Sequence, residues 1–199
     1  MQSITSLFLS QSLSGLYFFI VMLLNLYLFV VALRLILQWN HANFFNPISQ
    51  IISKLTSMPL HFFKKALPFS HRPAIDTALF LWLLELFKFI SIFLFVRGTF
   101  PSMVGLLISS IAESADLILS ILFYCLFVFV ILSWFSAFIN KSLLYFLFQI
   151  ADPLMGPARR LLPSIAGLDF SPVLVLILLR LTQAVITKPL LSVGYQLAG

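Results

Sequence analysis

The sequence predicts an all-α membrane protein with four transmembrane helices in two parallel repeats, each built as a span, an amphipathic cytoplasmic helix and a second span. Three observations support this fold class: 61% of the residues are hydrophobic, 9% are charged, and the chain contains four long apolar runs. An ordinary globular domain is about 45–50% apolar and about 25% charged. This chain therefore has too little polar surface for a water-soluble fold, and too many aromatic residues for a disordered one.

Each of the four apolar runs is long enough to cross the hydrocarbon core, which takes about 20 helical residues. They lie at about residues 15–39, 76–96, 117–139 and 172–191. None alternates in the two-residue pattern of a membrane β-barrel strand. Two shorter apolar segments, residues 4–13 and 101–112, suit interfacial or re-entrant segments better than spans. The sequence leaves open whether they are interfacial, re-entrant or spanning.

The basic residues predict how these spans are oriented. Most of them lie in the loops that follow the first and third spans: Lys54, Lys64, Lys65, Arg72, Lys141, Arg159 and Arg160. The opposite side carries Arg97 and Lys188. Because cytoplasmic loops carry the excess of Lys and Arg, we expect both long loops in the cytoplasm and both termini outside it.

A repeat with an offset of 93–95 residues divides the chain into residues 1–98 and 99–199. The matching positions are Trp39 and Trp134, Asn46 and Asn140, Pro59 and Pro153, Lys64-Lys65 and Arg159-Arg160, Pro68 and Pro163, and Asp76 and Asp169. Two spans per repeat leave both copies in the same orientation. We therefore expect parallel repeats, related by an axis along the membrane normal.

A connecting helix is predicted in each long loop, at about residues 47–58 and 141–152. In the first, Asn46 is a favourable N-cap and Pro47 fits the first helical position. Its apolar residues form one stripe, which is typical of a helix in the membrane interface or packed on its own bundle. The second is apolar on most sides, which predicts a deeper position or contact with a partner.

The helix ends are predicted from prolines and capping residues. We expect Pro59 and Pro153 to end the connecting helices, because proline disrupts the helical ladder of hydrogen bonds. Asp76 and Ser171 are suited to be the N-caps of the two return spans, with Pro172 at the first helical position.

Two basic elbows follow the connecting helices, Lys64-Lys65 before Pro68 and Arg159-Arg160 before Pro163. We expect anionic lipid headgroups there, since a basic residue near an anionic membrane surface contributes about 1 kcal/mol of binding. Asp169 is positioned either to precede the cap of the last span or to pair with one of the elbow arginines.

Recurring motifs of the chain are Arg34…Leu37-Gln38-Trp39, Asn46-Pro47, Pro59…Lys64-Lys65…Pro68…Asp76, and Asp152-Pro153-Leu154…Pro157…Arg159-Arg160…Pro163…Asp169-Phe170-Ser171-Pro172, of which the last, the second elbow, is the most specific. Together they resemble the YggT family of small inner-membrane proteins, over nearly the whole chain. The resemblance implies a duplicated protein of the bacterial inner membrane. It also implies a role related to osmotic-stress tolerance and potassium homeostasis, as for bacterial members, or to assembly, as for plastid relatives linked to cytochrome b haem assembly.

Ionisable residues inside the predicted spans are candidate functional residues, because each costs about 2.5–3.5 kcal/mol at a helix centre. Arg34 lies near the cytoplasmic end of the first span, within reach of the headgroups. Glu85 and Lys88 share a helix face, and the repeat places Glu85 and Arg180 at similar depth. We expect Glu85, Lys88 and Arg180 to form an ion pair or triad that joins two spans, or a polar patch for an ion or substrate.

Catalytic, metal-binding and cofactor-binding motifs are absent from the sequence. The histidines lie in the first loop with spacings unlike those of zinc sites, and Cys125 is the only cysteine. There is no phosphate-binding or dinucleotide-binding glycine motif, and no Gly-xxx-Gly motif. The net charge of +6 reflects topology and lipid contact more than nucleic-acid binding. We therefore predict no enzyme, no cofactor and no nucleic-acid contact.

Two functions remain for such a protein. The sequence favours a non-enzymatic multi-pass membrane protein that supports osmotic or envelope stress tolerance or the assembly of membrane complexes. The alternative is a transporter or ion-channel component, for potassium or another small ion, that uses the charges within its spans. Four spans form a narrow bundle, so a conducting path would need a homo-oligomer or another membrane protein as partner.

Overall fold

The computed structural model describes residues 2–42, 45–66, 72–135, 138–161 and 169–199. Within these ranges the chain is helical and contains no strand. The helices are α1 (Gln2–Trp39), α2 (Pro47–Ala66), α3 (Pro73–Arg97), α4 (Met103–Trp134), α5 (Lys141–Leu161), α6 (Ser171–Thr182) and α7 (Lys188–Ala198), and a π-helical turn, Gln183–Thr187, joins α6 to α7. The expectations for Pro68 and Pro163 lie outside the described residues.

Four helical stretches are long and apolar enough to cross a membrane: Ser14–Trp39, Pro73–Arg97, Met103–Trp134 and Ser171–Ala198. Four long apolar helices were predicted, and their number is confirmed. In each of them, at most 28% of the most apolar stretch is buried inside the molecule. Most of this apolar surface therefore faces outward, as expected of helices surrounded by lipid.

The third span differs most from its predicted bounds of 117–139. Helix α4 begins at Met103, so most of the segment 101–112 forms the start of this span and is not a separate interfacial segment. The sequence left the state of this segment open, because Glu113 and Asp116 interrupt the apolar run and make the two parts look separate. The backbone of residues 4–13 likewise belongs to one continuous helix with the first span.

The main apolar core lies where α1, α3, α4 and α5 meet. It is centred on fully buried leucines and isoleucines, among them Leu28, Leu37, Leu81, Ile121 and Ile150. A second apolar cluster joins α4, α5 and α6. Helices α2 and α5 lie side by side at one end of the bundle, where the Asn46 amide donates a 2.7 Å hydrogen bond to the Ser142 carbonyl. We call this end of the molecule the connecting end.

Small residues allow α4 and α7 to approach each other closely. A β-carbon at Gly105 would collide with the Ala198 backbone nitrogen, and one at Gly194 would collide with the Ser109 hydroxyl. Each helix thus carries two small residues four positions apart, which lets the backbones approach. No Gly-xxx-Gly motif was found in the sequence because serine and alanine occupy the second positions.

The connecting helices are longer than predicted, because Pro59 and Pro153 lie inside them and do not end them. A proline within a helix leaves the carbonyl four residues earlier without its usual donor. For Pro153 that carbonyl belongs to Gln149, and the Asn40 side-chain amide donates to it at 3.4 Å. Both prolines are exposed, so neither ring occupies the packed core.

The predicted helix caps are partly correct. Asn46 caps α2, since its Oδ1 accepts a 2.9 Å hydrogen bond from the Ile48 N–H. Asp76 does not cap α3, because the helix begins at Pro73 and places Asp76 in its first turn.

At the start of α6 the capping carboxylate belongs to Asp169, whose Oδ1 accepts a 2.9 Å hydrogen bond from the Ser171 N–H. Ser171 therefore donates the capping hydrogen bond through its backbone N–H. The side chain that accepts this bond is that of Asp169, not that of Ser171. Pro172 lies in the first turn of α6, where its missing N–H leaves no helical hydrogen bond unmade.

Candidate functional site

A cavity of about 320 Å³ lies between α1, α3, α4 and α7, and six of its eight lining residues are polar although the helices around it are apolar. We call it the polar cavity. It is lined by Asn25, Glu85, Lys88, Glu113, Asp116 and Ser120, together with Leu117 and Leu191. At 1.5 Å per residue, Asn25 lies about 16 Å along α1 from Ser14 and about 21 Å from Trp39. The polar cavity is therefore well inside the spans and not at their ends.

Lys88 lies between two carboxylates of the polar cavity. Its Nζ is 2.5 Å from Glu85 Oε2 and 2.8 Å from Glu113 Oε2, and it donates a 3.3 Å hydrogen bond to Asn25 Oδ1. Glu113 also accepts a 2.5 Å hydrogen bond from the Tyr195 hydroxyl. Glu85 is 2% exposed and Lys88 is 8% exposed. This arrangement partly compensates the large free-energy cost of burying charge.

The two carboxylates that contact Lys88 have different surroundings. Glu85 is buried, and the contact that compensates its charge is the 2.5 Å ion pair with Lys88. Glu113 has a second donor in the Tyr195 hydroxyl.

Asp116, which also lines the polar cavity, is held by uncharged side chains that donate hydrogen bonds to it. Its Oδ1 accepts hydrogen bonds from Thr187 Oγ1 at 2.6 Å and from Gln183 Nε2 at 3.3 Å. Gln183 Nε2 also donates to Ser120 Oγ at 2.8 Å. No Lys or Arg of the described chain forms an ion pair with Asp116. Its carboxylate is therefore without a cationic partner.

The π-helical turn brings these donors together, since Gln183 and Thr187 are its first and last residues and both are 2% exposed. The turn ends two residues before Pro189, which lacks the N–H that would bond the Val185 carbonyl in a regular α-helix. Single π-helical turns within α-helices occur frequently at functional sites.

Arg180 does not join the ion pair, so the predicted triad is corrected. The residue is exposed, and it forms no ion pair with Glu85 or any other described acid. Its guanidinium lies 3.8 Å from the centre of the Phe123 ring, and its Nη1 donates a 3.0 Å hydrogen bond to Gln183 Oε1. Glu113 takes the third position of the triad, and Arg180 reaches the polar cavity only through Gln183.

Arg34 also lies apart from the polar cavity. Its Nη1 donates to Thr56 Oγ1 at 2.7 Å and to the Ser53 carbonyl at 3.1 Å. Both acceptors belong to α2, so Arg34 joins the first span to the first connecting helix.

One cation of each basic elbow pairs with an aspartate at the start of the following span. Lys64 Nζ lies 3.0 Å from Asp76 Oδ2, and Arg159 Nε lies 3.0 Å from Asp169 Oδ2. Hydrogen bonds from Ser171, together with the Arg159 guanidinium, hold the pKa of Asp169 below its usual value.

The other cation of each elbow, Lys65 or Arg160, is exposed and forms no ion pair within the described ranges. Each elbow thus combines a structural cation with one that is accessible from outside.

Several residues of the polar cavity were missed in the sequence. Glu113 and Asp116 were assigned to the boundary between an interfacial segment and a span, and Asn25, Gln183 and Thr187 are uncharged. A signal was available, since Glu113, Asp116 and Ser120 recur at the three- and four-residue spacing of one helix face.

Comparisons with known proteins agree on one family. A model of the CCB3/YggT family matches residues 13–97 and 108–190. The protein named "Uncharacterized protein YggT" from Escherichia coli K12 is 35% identical over 179 residues, which cover 87% of this chain and 90% of that protein. A Pseudomonas aeruginosa protein is 32% identical over 167 residues, covering 83% and 85%, and a Vibrio alginolyticus protein is 34% identical over 161 residues, covering 77% and 83%. No solved structure matches the chain.

Proposed function

The chain belongs to the CCB3/YggT family, and from that premise we propose that it is a transporter or channel component that takes a small monovalent cation into the polar cavity. One observation carries this proposal. The cavity is lined by three carboxylates, Glu85, Glu113 and Asp116, but by a single ammonium group, that of Lys88. With all four groups ionised, its net charge is −2.

A net negative charge between apolar helices requires compensation, because an ion without a partner is expensive in a medium of low dielectric constant. Bound cations or protons are the available compensation. The walls offer carboxylate, amide and hydroxyl oxygens, which are the ligands that hard cations prefer.

A small monovalent ion fits this site better than a resident divalent metal. Within the described chain, no group of three or more His, Cys, Asp or Glu side chains has the geometry to hold a metal ion. Lys88 also places a fixed positive charge beside the cavity, and it repels a divalent ion more strongly than a monovalent one. Weak binding suits transport, because an ion that moves on must also leave its site.

Ion flux in proteoliposomes tests this proposal. We expect sodium or potassium flux through the wild-type protein, and a decrease of at least about tenfold for Asp116→Asn, since loss of one carboxylate removes a unit charge from the binding site. Asp152→Asn is the matched control, because Asp152 is an exposed acid at the connecting end and should leave flux unchanged. Silent wild-type liposomes, or equal flux in wild type and Asp116→Asn, would contradict the proposal.

A second candidate is a non-enzymatic role in osmotic or envelope stress tolerance through assembly of other membrane proteins. The outward face of α2 favours it. Ile51, Leu55, Met58 and Phe62 form a stripe there, with each side chain 58–69% exposed. A photo-crosslinker at Leu55 should capture a protein, with the polar position Lys54 as control. Crosslinks to lipid alone would indicate an interfacial helix instead.

We further propose that the connecting end faces the cytoplasm of a bacterial cell, and that the elbows contact anionic headgroups. Support comes from the seven basic residues in the two long loops and from the exposure of Lys65 and Arg160. Labelling of single cysteines at Lys65 and Gly98 from either side of the membrane tests the orientation. Labelling of Lys65→Cys from outside intact cells would reverse it.

A further inference from the structure

Another pocket, of about 530 Å³, lies at the connecting end between α1 and α2, apart from the polar cavity. We call it the basic pocket. Its walls include Arg34, His61 and Lys64, and no Asp or Glu is among the described residues that line it. The volume is within the range of about 300–1,000 Å³ that is typical of ligand sites. The basic side chains indicate an anionic ligand.

The Arg34 guanidinium has only uncharged partners in the described part of the chain. Its Nη1 donates to Thr56 Oγ1 and to the Ser53 carbonyl. In the orientation of the Gln38 amide that satisfies its donors, Gln38 Oε1 accepts from Arg34 Nε at 3.1 Å. These contacts use three of the five N–H donors of a guanidinium. They hold the group in place and leave its charge and the two Nη2 hydrogens to a ligand.

His61 and Lys64 add further donors to the basic pocket. His61 is exposed, and its ring carries at least one N–H in either protonation state. Lys64 Nζ pairs with Asp76 at 3.0 Å, but an ammonium group has three donors, so it can contact a second anion. Asp76 balances the charge of Lys64, and the charge of Arg34 remains without an anionic partner in the described ranges.

The second half of the chain has no equivalent of the basic pocket. At offsets of 95 and 94 residues, Phe129 takes the place of Arg34 and Met155 that of His61. Phe129 packs against Phe148, with ring centroids 6.0 Å apart, and Met155 is buried in an apolar cluster. The repeat therefore folds without a basic residue at either position. This difference favours a role for Arg34 and His61 in binding.

The position of the basic pocket favours a lipid phosphate over a dissolved one. Arg34 lies about 7.5 Å along α1 from Trp39, which is 73% exposed at the end of the first span. Exposed tryptophans are enriched at the level of the lipid headgroups. Met58 and Phe62 also line the pocket, and both are exposed. They offer apolar contacts to acyl chains, which a free phosphate ion lacks.

We infer that the basic pocket binds the phosphate group of one anionic phospholipid, and that Arg34 and His61 recognise it. Hydrogen bonds from a guanidinium to phosphate are charge-assisted and strong. A zwitterionic lipid binds less well, because its ammonium group is brought close to these cations. The inference is independent of the cation proposed for the polar cavity. It also differs from general headgroup contact at the exposed elbow cations, because it predicts one lipid in a defined site.

Native mass spectrometry of the purified full-length protein in detergent micelles tests the inference. Phosphatidylglycerol is titrated in parallel with phosphatidylcholine of the same acyl chains, and glycerol phosphate serves as the soluble headgroup. We expect one phosphatidylglycerol per chain, bound at least about tenfold more tightly than phosphatidylcholine, as one hydrogen bond to a charged group provides. Glycerol phosphate should bind at least about tenfold more weakly than the lipid, because it buries no acyl chain.

Two variants assign the lipid to the basic pocket. Arg34→Gln should lower the affinity for phosphatidylglycerol about tenfold or more. Because Arg34 also holds α2, His61→Ala is the second variant. His61 forms no hydrogen bond within the described chain, so the fold should be retained while the affinity falls about two- to tenfold. Lys65→Gln is the matched control, since Lys65 is exposed and does not line the pocket, and it should leave the affinity unchanged.

Each part of the inference has its own contradicting result. Equal affinity for phosphatidylglycerol and phosphatidylcholine would overturn the recognition of an anionic lipid. Equal affinity for phosphatidylglycerol and glycerol phosphate would overturn the lipid assignment and leave a site for a soluble phosphate. Wild-type affinity in both Arg34→Gln and His61→Ala, or an equal loss in Lys65→Gln, would show that the lipid binds elsewhere.

Discussion

The polar cavity has two walls, one formed around Lys88 and the other around Asp116. Their residues lie at positions related by the repeat offset, but the interactions that hold them differ in chemistry. Asn25 on α1 contacts Lys88 on α3, and Ser120 on α4 contacts Gln183 at the start of the π-helical turn. Both pairs are related by an offset of 95 residues, within the 93–95 range found in the sequence. The first wall is built on an ion pair and the second on neutral hydrogen bonds. The first wall compensates its charges by ion pairing, whereas the second holds the Asp116 carboxylate with neutral donors.

Other contacts follow the same offset and support the proposed repeat. Each elbow cation pairs with an aspartate of the next span, Lys64 with Asp76 and Arg159 with Asp169. In the second half Asn140 Oδ1 accepts a 2.8 Å hydrogen bond from the N–H two residues later, as Asn46 does in the first. The family model also matches the chain in two separate ranges. Local contacts at the ends of the spans thus recur at this offset, whereas the charged residues within the spans do not.

The largest effect is expected from removing the cation of the first wall. Lys88→Met leaves the buried carboxylate of Glu85 and the partly buried one of Glu113 without an ammonium group, which should lower the free energy of unfolding by about 3–5 kcal/mol. Unfolding in mixed micelles measures this loss, and Lys65→Met, at an exposed lysine, is the control that should be unchanged. A Lys88→Met protein as stable as wild type would show that the ion pair contributes nothing to the fold.

Exchanging the charges of Glu85 and Arg180 should not restore the stability that the Glu85 substitution removes. Glu85→Arg places a cation beside Lys88 and is expected to be strongly destabilising. Adding Arg180→Glu should not compensate, because Arg180 contacts Phe123 and Gln183 and forms no ion pair with Glu85. The coupling energy from a double-mutant cycle is the measurement. A coupling of several kcal/mol would return Arg180 to the triad that the sequence predicted.

A smaller effect is expected at the position equivalent to Lys88 in the second wall. Gln183→Met removes neutral hydrogen bonds to Asp116 and Ser120 from a buried site, which should lower the free energy of unfolding by about 1–3 kcal/mol. The same unfolding measurement applies, with Gln196→Met as an exposed control. A loss as large as that of Lys88→Met would contradict the distinction between the two walls.

The parts of this site that could be predicted from the sequence are local in the chain. Glu85 and Lys88 are three residues apart on one helix, so their proximity follows from helical geometry alone. Glu113 meets Lys88 across two helices, and a single sequence contains no distance between them. Similarly, Asp169 and Arg159 were recognised as possible partners because they flank one elbow.

The errors in the predicted fold have a common physical origin. Polar and helix-breaking residues were assigned to the ends of helices. The assumption was that nothing compensates the free-energy cost of placing them inside a helix. Glu113 and Asp116 lie inside α4 because Lys88, Tyr195 and Thr187 satisfy them. Pro153 lies inside α5, where Asn40 donates to the carbonyl that the proline leaves free. Such compensation comes from distant parts of the chain, so periodicity and composition do not reveal it.

The smallest effect is expected at the elbows, where the two halves are most alike. Asp169→Asn removes the pairing with Arg159 at an exposed site, where such pairs contribute about 0.2–1 kcal/mol. Because the pKa of Asp169 is lowered in the folded protein, its contribution is present near neutral pH and is lost as the pH falls through the folded-state pKa. Stability measured against pH should therefore show a small acid-dependent loss in wild type that is absent in Asp169→Asn. Equal acid dependence in both proteins would mean that the elbow carboxylate of the second half does not contribute, and that the resemblance between the two elbows is geometric only.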